Sequence, residues 1–492
     1  MTYNQAMATA SATVPALVWV GRDLRLRDNP ALSAAVQSGQ PLILVYIHEE
    51  NTPYRLTPGA ASGWWLHRSI EKMSEAVRAL GAKLHLIQGD AEYVLPHLAQ
   101  KHAISDVYWN QITDPKIDDR DRRLAQRLME IGTQPRVFRS ITLLDAGQVL
   151  NKSGLPFRVF TPFWRTASTT IRPTRLAPEP KQINDAGLDI DGSAIEDWGL
   201  IPSNPNWAEE FDEHWVPGER GAQTALDRFV HEALNGYPEN RDRPDIMGTS
   251  RLSPHLAAGE ISPRQIWIAI RDAEARGASS AAVEKFLAEL GWREFSYYLF
   301  HHFGDLRRKN FNSKFDNFAW RDDPAAFKAW ARGQTGIPMV DAGMRQLWQT
   351  GWMHNRVRMI AASFLVKHLG IHWQDGMHWF EDTLVDADPL VNATSWQWVA
   401  GTGADAAPYF RIFNPVTQGE KFDPDGDYVR RWVPELAGLR GKDIHTPSGA
   451  PPAMRLSAGV EIGGNYPAPI IDLKQRRQAA LDAFAAIKQN DA

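Results

Sequence analysis

The sequence has no cysteine among its 492 residues. That absence excludes disulfides, thiolate metal sites and cysteine nucleophiles. It fits a cytoplasmic protein, although it does not require one. No run of 18 apolar residues occurs, so no membrane-spanning helix is expected. The opening stretch MTYNQAMATASATVP has neither a basic n-region nor an apolar run. It is therefore no secretory signal, and residues 1–15 are expected to be a disordered tail. An excess of positive charge is missing too: 54 Lys and Arg face 58 Asp and Glu, a net −4. A uniformly basic nucleic-acid coat is excluded, but a local basic groove is not. The chain also lacks repeats, low-complexity stretches, a P-loop and a nucleophile elbow. No G-x-G-x-x-G follows its first apolar run; Gly21-Arg-Asp-Leu-Arg-Leu-Arg stands there instead.

What remains is the composition of a globular protein, 43% apolar and 23% charged, too long for one ordinary core. Tryptophan is abundant, at 19 residues. Indoles are usually core filler, yet they also make stacking platforms for flat ligands.

Short apolar runs at Ala16 to Val20, Leu42 to Ile47, Lys83 to Ile87 and Asp106 to Trp109 predict strands. Helical patterns lie among them, at Pro30 to Ser38, Ser62 to Leu80, Glu92 to His102 and Asp118 to Ile131. This alternation predicts an α/β domain with a Rossmann-like parallel sheet over residues 16–143. Residues 144–218 are punctuated by prolines and read as a connector with local turns that packs on both domains. From 219 to 492 the periodicity is helical, as at Ser280 to Phe303, Asp341 to Gln349, Arg356 to Leu369 and Leu473 to Ile487, so this domain is expected to be all-α.

Three signals are weak. Gly401-Thr-Gly403 is half of a dinucleotide fingerprint without the strand or the third glycine. His368 and His372 are four apart, but Gly370 lies between them and no carboxylate completes a zinc helix, so a structural role is favoured. Asp386 and Asp388 have no third ligand nearby, and a salt bridge or a helix cap is the better reading.

Four stretches are not filler. Thr249-Ser-Arg-Leu-Ser253 gathers hydroxyls and an arginine suited to a phosphate, although Ser253 alone reads as a helix N-cap. Glu289-Leu-Gly-Trp292 sets a carboxylate beside an indole at i and i+3. In Gly351-Trp-Met-His-Asn355-Arg-Val-Arg358-Met359, Asn355 and Met359 share a face while Arg356 and Arg358 need other partners. Last is Ser395-Trp-Gln-Trp398-Val-Ala-Gly-Thr-Gly-Ala-Asp-Ala-Ala-Pro-Tyr-Phe-Arg-Ile-Phe-Asn-Pro415, preceded by Asp386, Asp388 and Asn392.

Together these stretches resemble the photolyase/cryptochrome family. The resemblance runs from Val18-Trp-Val-Gly-Arg-Asp-Leu-Arg25 to Trp432-Val-Pro-Glu435. Trp-Met-His-Asn at 352 to 355 is similar to microbial cyclobutane pyrimidine dimer photolyases of class I and class III. The resemblance implies an N-terminal α/β antenna domain and a C-terminal helical domain holding a U-shaped FAD. Tyr237, Thr249, Ser250, Arg251, Leu252 and Ser253 match the family's flavin phosphate-binding segment. Asn355, Arg358, Asp386, Asp388 and Asn392 match residues around the isoalloxazine ring, with Asn392 facing flavin N5 and Arg358 paired with Asp386. Trp292 and Trp398 match the indoles that line the pocket for a dimer flipped out of UV-damaged DNA. Glu289 and Asn355 match the groups that bond the thymine edges, Met359 a packing contact, and Arg356 an arginine near the DNA backbone.

Trp396, Trp373 and Trp320 match the family's tryptophan chain, which passes electrons to photoexcited oxidised flavin. Without the resemblance, core packing is the default reading of these three. On a helix, positions two apart point about 200° apart. Trp398 then faces the dimer while Trp396 faces the flavin side. The implied reaction is electron donation from light-excited reduced FAD to the dimer, bond splitting and electron return. Asn-Asn-Gly-Gly, common before Trp-x-Trp in class I, is replaced here by Asn392-Ala-Thr-Ser395, so a reshaped loop is expected beside the flavin.

Family antennas are methenyltetrahydrofolate or 8-hydroxy-deazaflavin, and Trp109-Asn-Gln-Ile-Thr-Asp114 stands where their contacts are common without matching either. A monomer is expected. The rival readings are a cryptochrome photoreceptor without repair and a (6-4) photolyase. The chain stops about 20 residues after Pro469, without the long extension of many signalling members, which favours repair; His354 alone is poor evidence for (6-4) chemistry.

Overall fold

A computed structural model describes residues 14–50, 58–172, 175–409 and 411–489. All but the last two residues of the expected N-terminal tail lie outside the described residues.

Five parallel strands form one sheet: β1 Ala16–Val20, β2 Leu42–His48, β3 Leu84–Gln88, β4 Asp106–Gln111 and β5 Gln134–Arg139, in the order β3-β2-β1-β4-β5. Leu17 of β1 stands opposite Ile43 on one side and Val107 on the other. Strand alternation explains the two cores. Ala16, Val18 and Val20 pack with Leu32, Ile70 and Val77 of helices Pro30–Gln37 and Ala60–Ala79. Leu17 and Trp19 pack with Leu95, Leu124 and Leu128 of helices Ala91–Lys101 and Pro115–Glu130. Both faces of β1 are covered, which is why it reads as an unbroken apolar run. β5 escaped the sequence reading because it is an edge strand, QPRVFR, with no fully buried side chain.

The connector contains a helix the sequence reading missed, Phe160–Thr170. Pro162 sits in its first turn, where a missing N–H costs nothing, but prolines and threonines had masked its pattern. Further on, residues 184–193 run along the sheet: the Leu42 N–H donates to the Asn184 carbonyl at 2.7 Å, and the Ser193 N–H to that of Leu86 at 3.0 Å.

The remainder is helical among the described residues. Helices Ser280–Phe303, Pro338–Thr350, Asn355–Ser363, Trp373–Thr383 and Pro389–Ala400 enclose the largest apolar core. The expected loop at Val391 to Ser395 is not a loop; it lies inside helix Pro389–Ala400. Thr394, standing where glycine is common, places its hydroxyl 2.8 Å from Ser296 Oγ and 3.0 Å from the Leu390 carbonyl, so the helix is pinned to Ser280–Phe303.

The two halves are joined by buried polar groups. Arg25, 1% exposed, donates to the Gly259 carbonyl at 2.8 Å and to the Asp28 carbonyl at 3.0 and 3.2 Å. Ser262 Oγ donates to Asp28 at 2.6 Å. Fully buried Glu260 accepts from Trp65 Nε1 at 3.1 Å and from the Gly218 N–H at 2.7 Å.

Candidate active site

The site gathers where helices Ser280–Phe303, Asn355–Ser363 and Pro389–Ala400 meet the segment 237–253. Gly351 ends the helix before Asn355 in a left-handed conformation, φ 65°, with Phe211 and Val385 so close that a Cβ would strike them at 2.6 to 2.9 Å. His354 then caps helix Asn355–Ser363, its Nδ1 accepting from the Arg356 N–H at 3.2 Å. That role needs a neutral ring, and burial pushes the His354 pKa down to about 4.

Helical spacing sends the next side chains apart, as expected. Arg356 pairs with Asp242 at 2.8 Å and lies over the Phe422 ring. Arg358 pairs with Asp386 at 2.8 Å. Asn355 is exposed at the helix start and places its amide 3.9 Å from the Met359 sulfur. Asp386 keeps one carboxylate oxygen, Oδ1, buried with no protein partner. Asp388, by contrast, is fully used: Oδ1 caps helix Pro389–Ala400 by accepting from the Leu390 and Val391 N–H groups, and Oδ2 accepts from Tyr297 at 2.6 Å. The sequence alternatives of salt bridge and cap thus divide between the two aspartates. Asn392 is nearly buried and donates to the Met377 carbonyl at 3.0 Å.

The 249–253 stretch turns at Arg251, which adopts φ 54°. Ser253 is not an N-cap; it begins helix Ser253–Ala258 after Leu252, and it is exposed. Ser250 Oγ is 3.4 Å from the Leu252 N–H, while its carbonyl accepts from Arg228 at 3.4 Å. The Arg251 guanidinium stacks over Trp215 and Trp352 at 4.2 and 4.9 Å, and its Nε has no partner. Burial, then the neighbouring Arg228, pulls the Arg251 pKa down to about 10, and no carboxylate opposes them. Tyr237 packs on Phe229 and Phe286 beneath this turn. Two neighbouring cations without a carboxylate fit a diphosphate, and the unused oxygen beside Arg358 fits a polar ring edge. This donor set fits an FAD.

At the rim, Glu289 is held by Arg241, and Asp242 lies between Arg241 and Arg356. Trp292 is half-buried, with one face covered by Phe160 at 3.8 Å between ring centres and 10° between planes. Trp398 is half-buried, and Trp396 is 2% exposed on the opposite side of their helix. Trp396 packs on Trp330 and Phe380 and presses on Gly376, where a Cβ would lie 2.2 Å from the indole. Trp373 is buried and donates its N–H to Asn310 at 2.9 Å. Half-buried Trp320 reaches it through the His372 ring, 5.0 Å from one and 5.6 Å from the other.

Sequence reasoning missed Phe160, Arg228, Trp215, Trp352 and Tyr297 as site residues. Aromatic richness hinted at the four rings, and nothing singled out Arg228. It also missed a cleft of about 970 Å³ between the halves. This cleft opens at the carboxyl ends of β1, β2 and β4, where the strand order reverses. Gly21, His48, Glu49 and Asp114 line one wall, and Asp305, Arg307, His378 and Leu390 the other.

Residues 16–181 match the family model described as DNA photolyase, and residues 286–486 the FAD binding domain of DNA photolyase. The chain is 50% identical over 477 residues to a deoxyribodipyrimidine photo-lyase of Agrobacterium fabrum, covering 97% of this chain and 99% of that one. It is 37% identical to cryptochrome-1 of Arabidopsis thaliana, over 97% of this chain and 71% of that one. The crystal structure of a class III photolyase from Agrobacterium tumefaciens superposes with a TM-score of 0.94, at 50% identity, over 97% of this chain and 98% of that one. The chain belongs to the photolyase/cryptochrome family.

Proposed function

We propose that this chain is a deoxyribodipyrimidine photo-lyase of class III, which uses FAD and light to split cyclobutane pyrimidine dimers in damaged DNA. The observation that carries this is the end-to-end 50% identity with a photo-lyase. Reduced FAD, when bound, supplies the light-driven electron.

The protein's part is position and electrostatics. Arg251 and Arg228 hold the phosphates beside Tyr237, Thr249, Ser250, Leu252 and Ser253. Arg358, Asp386 and Asn392 hold the ring edge, while Asp388 fixes the helix that carries Asn392. A dimer is out of reach inside the duplex and must be flipped out, at a cost its damaged pairing lowers. Trp292 and Trp398 offer it flat faces, each stack worth roughly 1–3 kcal/mol. Glu289 and Asn355 bond its edges, Met359 packs on it, and Arg356 steadies the backbone. Trp320, Trp373 and Trp396 would relay an electron from a reductant at the surface toward oxidised flavin.

The neutral capping role of His354 supports dimer repair over (6-4) chemistry. The cryptochrome reading is favoured by the 37% identity to a plant cryptochrome. The cleft between the halves supports an antenna chromophore, methenyltetrahydrofolate or 8-hydroxy-deazaflavin, and the absorption spectrum of the extracted chromophore distinguishes them. With this reading go the division at 16–143, 144–218 and 219–492, a monomeric state and a cytoplasmic location. No helix among the described residues is long and apolar enough to cross a membrane.

The test is blue-light repair of a thymine-dimer oligonucleotide by chemically reduced protein, with a dark control and a (6-4) substrate. Light-dependent loss of the thymine dimer is expected. No repair of either lesion by protein that holds reduced FAD would establish the photoreceptor reading instead.

A further inference from the structure

Asp405 joins two parts of the site that are far apart in sequence. It follows helix Pro389–Ala400, which carries Trp398 and ends at Gly401 with φ 90°. The Ala407 N–H reaches back to the Trp398 carbonyl at 3.2 Å, the Gly403 N–H to that of Gln397 at 3.1 Å, and the Asn312 N–H to that of Thr402 at 2.8 Å. The loop is thus tied to the helix end. Within it Asp405 adopts φ 48°, in the left-handed region that aspartate enters more readily than most side chains.

That conformation accompanies a contact across 245 residues: Asp405 Oδ2 accepts from the Phe160 N–H at 3.0 Å. Phe160 is the first residue of helix Phe160–Thr170, whose own N-cap, Val159, has no side chain to offer. The first N–H groups of a helix lack internal partners and favour negative charge. Asp405 supplies the missing acceptor from another segment.

The helix capped in this way backs Trp292. Phe160 covers one face of that indole, the closest ring pair among the described residues. One turn on, Trp164 lies flat against Gly291, where a Cβ would come within 2.5 Å of the ring. Trp292 therefore has one face left to offer and little freedom to rotate.

We infer that Asp405 is a positioning residue for lesion binding: by capping the helix that backs Trp292, it sets the Trp292 plane relative to Trp398. This rests on the repair reading above. A loop that moves with Trp398 holds the ring that backs Trp292, so one hydrogen bond links the two segments that place the indoles.

The test is binding in the dark of FAD-loaded protein to a duplex with one thymine dimer and to the same duplex undamaged. D405A is expected to weaken binding to the dimer duplex about tenfold, part of the free energy of one base stack, and to leave undamaged binding unchanged. D405N removes the charge but keeps an acceptor oxygen, and is expected to stay within about twofold of the unaltered protein. F160L keeps the apolar volume but removes the flat backing ring; it is expected to lose dimer affinity selectively, including where D405A does not fold. Unchanged dimer binding in D405A, or equal loss on both duplexes, overturns the positioning role. No recovery in D405N also overturns it, because charge rather than the cap would then be responsible. If the unaltered protein itself shows no preference for the dimer, the repair reading fails and the proposal falls with it.

Discussion

Two pockets of this molecule bury a basic side chain with no carboxylate partner among the described residues, and they resolve the problem differently. Lys367 is 2% exposed, bonded to the Arg411 carbonyl at 3.1 Å beside the Tyr409 ring. Burial, then Arg411, pulls its pKa down to about 7, so at neutral pH it can shed its charge. Arg251 is brought down only to about 10 and keeps its charge. A buried amine can satisfy itself by deprotonation, whereas a buried guanidinium needs carbonyl acceptors, as Arg25 has, or an anion. An unpaired buried charge therefore points to a ligand only when the side chain cannot titrate away.

The comparison breaks first at Arg251. Arg251→Ala should raise the FAD dissociation constant about a hundredfold, the loss of a buried charge-assisted contact of roughly 3 kcal/mol. Fluorescence of released flavin measures it, and retention of FAD at the original affinity would make Arg251 no different in kind from Lys367. Asp386→Ala strands Arg358, 23% exposed, and should destabilise the protein by about 2 kcal/mol in urea unfolding, below the value for a wholly buried pair. Trp292→Ala should weaken binding to dimer DNA about tenfold and leave undamaged binding intact, as titrations with both duplexes would show. Equal loss on both would make Trp292 core rather than platform.

Lys367→Met tests a sign rather than a size. The folded pKa of about 7 lies below the ordinary lysine value of 10.5. Between these values the unfolded chain holds a proton that the fold does not, so Lys367 makes stability rise with pH there. Below the folded pKa its full penalty applies. Lys367→Met should therefore stabilise the protein most at pH 6, and the gain should shrink as pH rises through that window. A pH-independent gain would mean that packing, not charge, is responsible.

The same distinction explains what could be read in advance. Of the four strands found from sequence, β1 and β2 are buried almost throughout and β3 only at Leu84 and His85, yet each is an apolar run; β5 has no buried side chain and no such run. Asp388 was legible as a cap because capping is local, whereas the Arg358 partner of Asp386 stands 28 residues away and no local pattern names it. Trp396 and Trp398 were separable by helical geometry alone. Phe160 on Trp292 was not legible, because a contact between distant segments has no periodicity. The cleft between the halves was hidden for the same reason: its walls come from two chain segments, ending at Ile117 and resuming at Ala257, with no local pattern to link them.

Arg25 has a consequence for how the chain acquires its structure. Its fully buried guanidinium donates to a carbonyl at Gly259, 234 residues later. Until that carbonyl arrives, Arg25 has the Asp28 carbonyl for two of its donors but leaves Nη1 unmet on the surface that meets the helical half. The sheet domain is thus synthesised with an unfinished interface and cannot lock until the turn at 259 has been made. High contact order of this sort slows folding and prolongs exposure of apolar surface. An N-terminal fragment ending before Gly259 should aggregate for want of a single late-arriving acceptor and the surface around it.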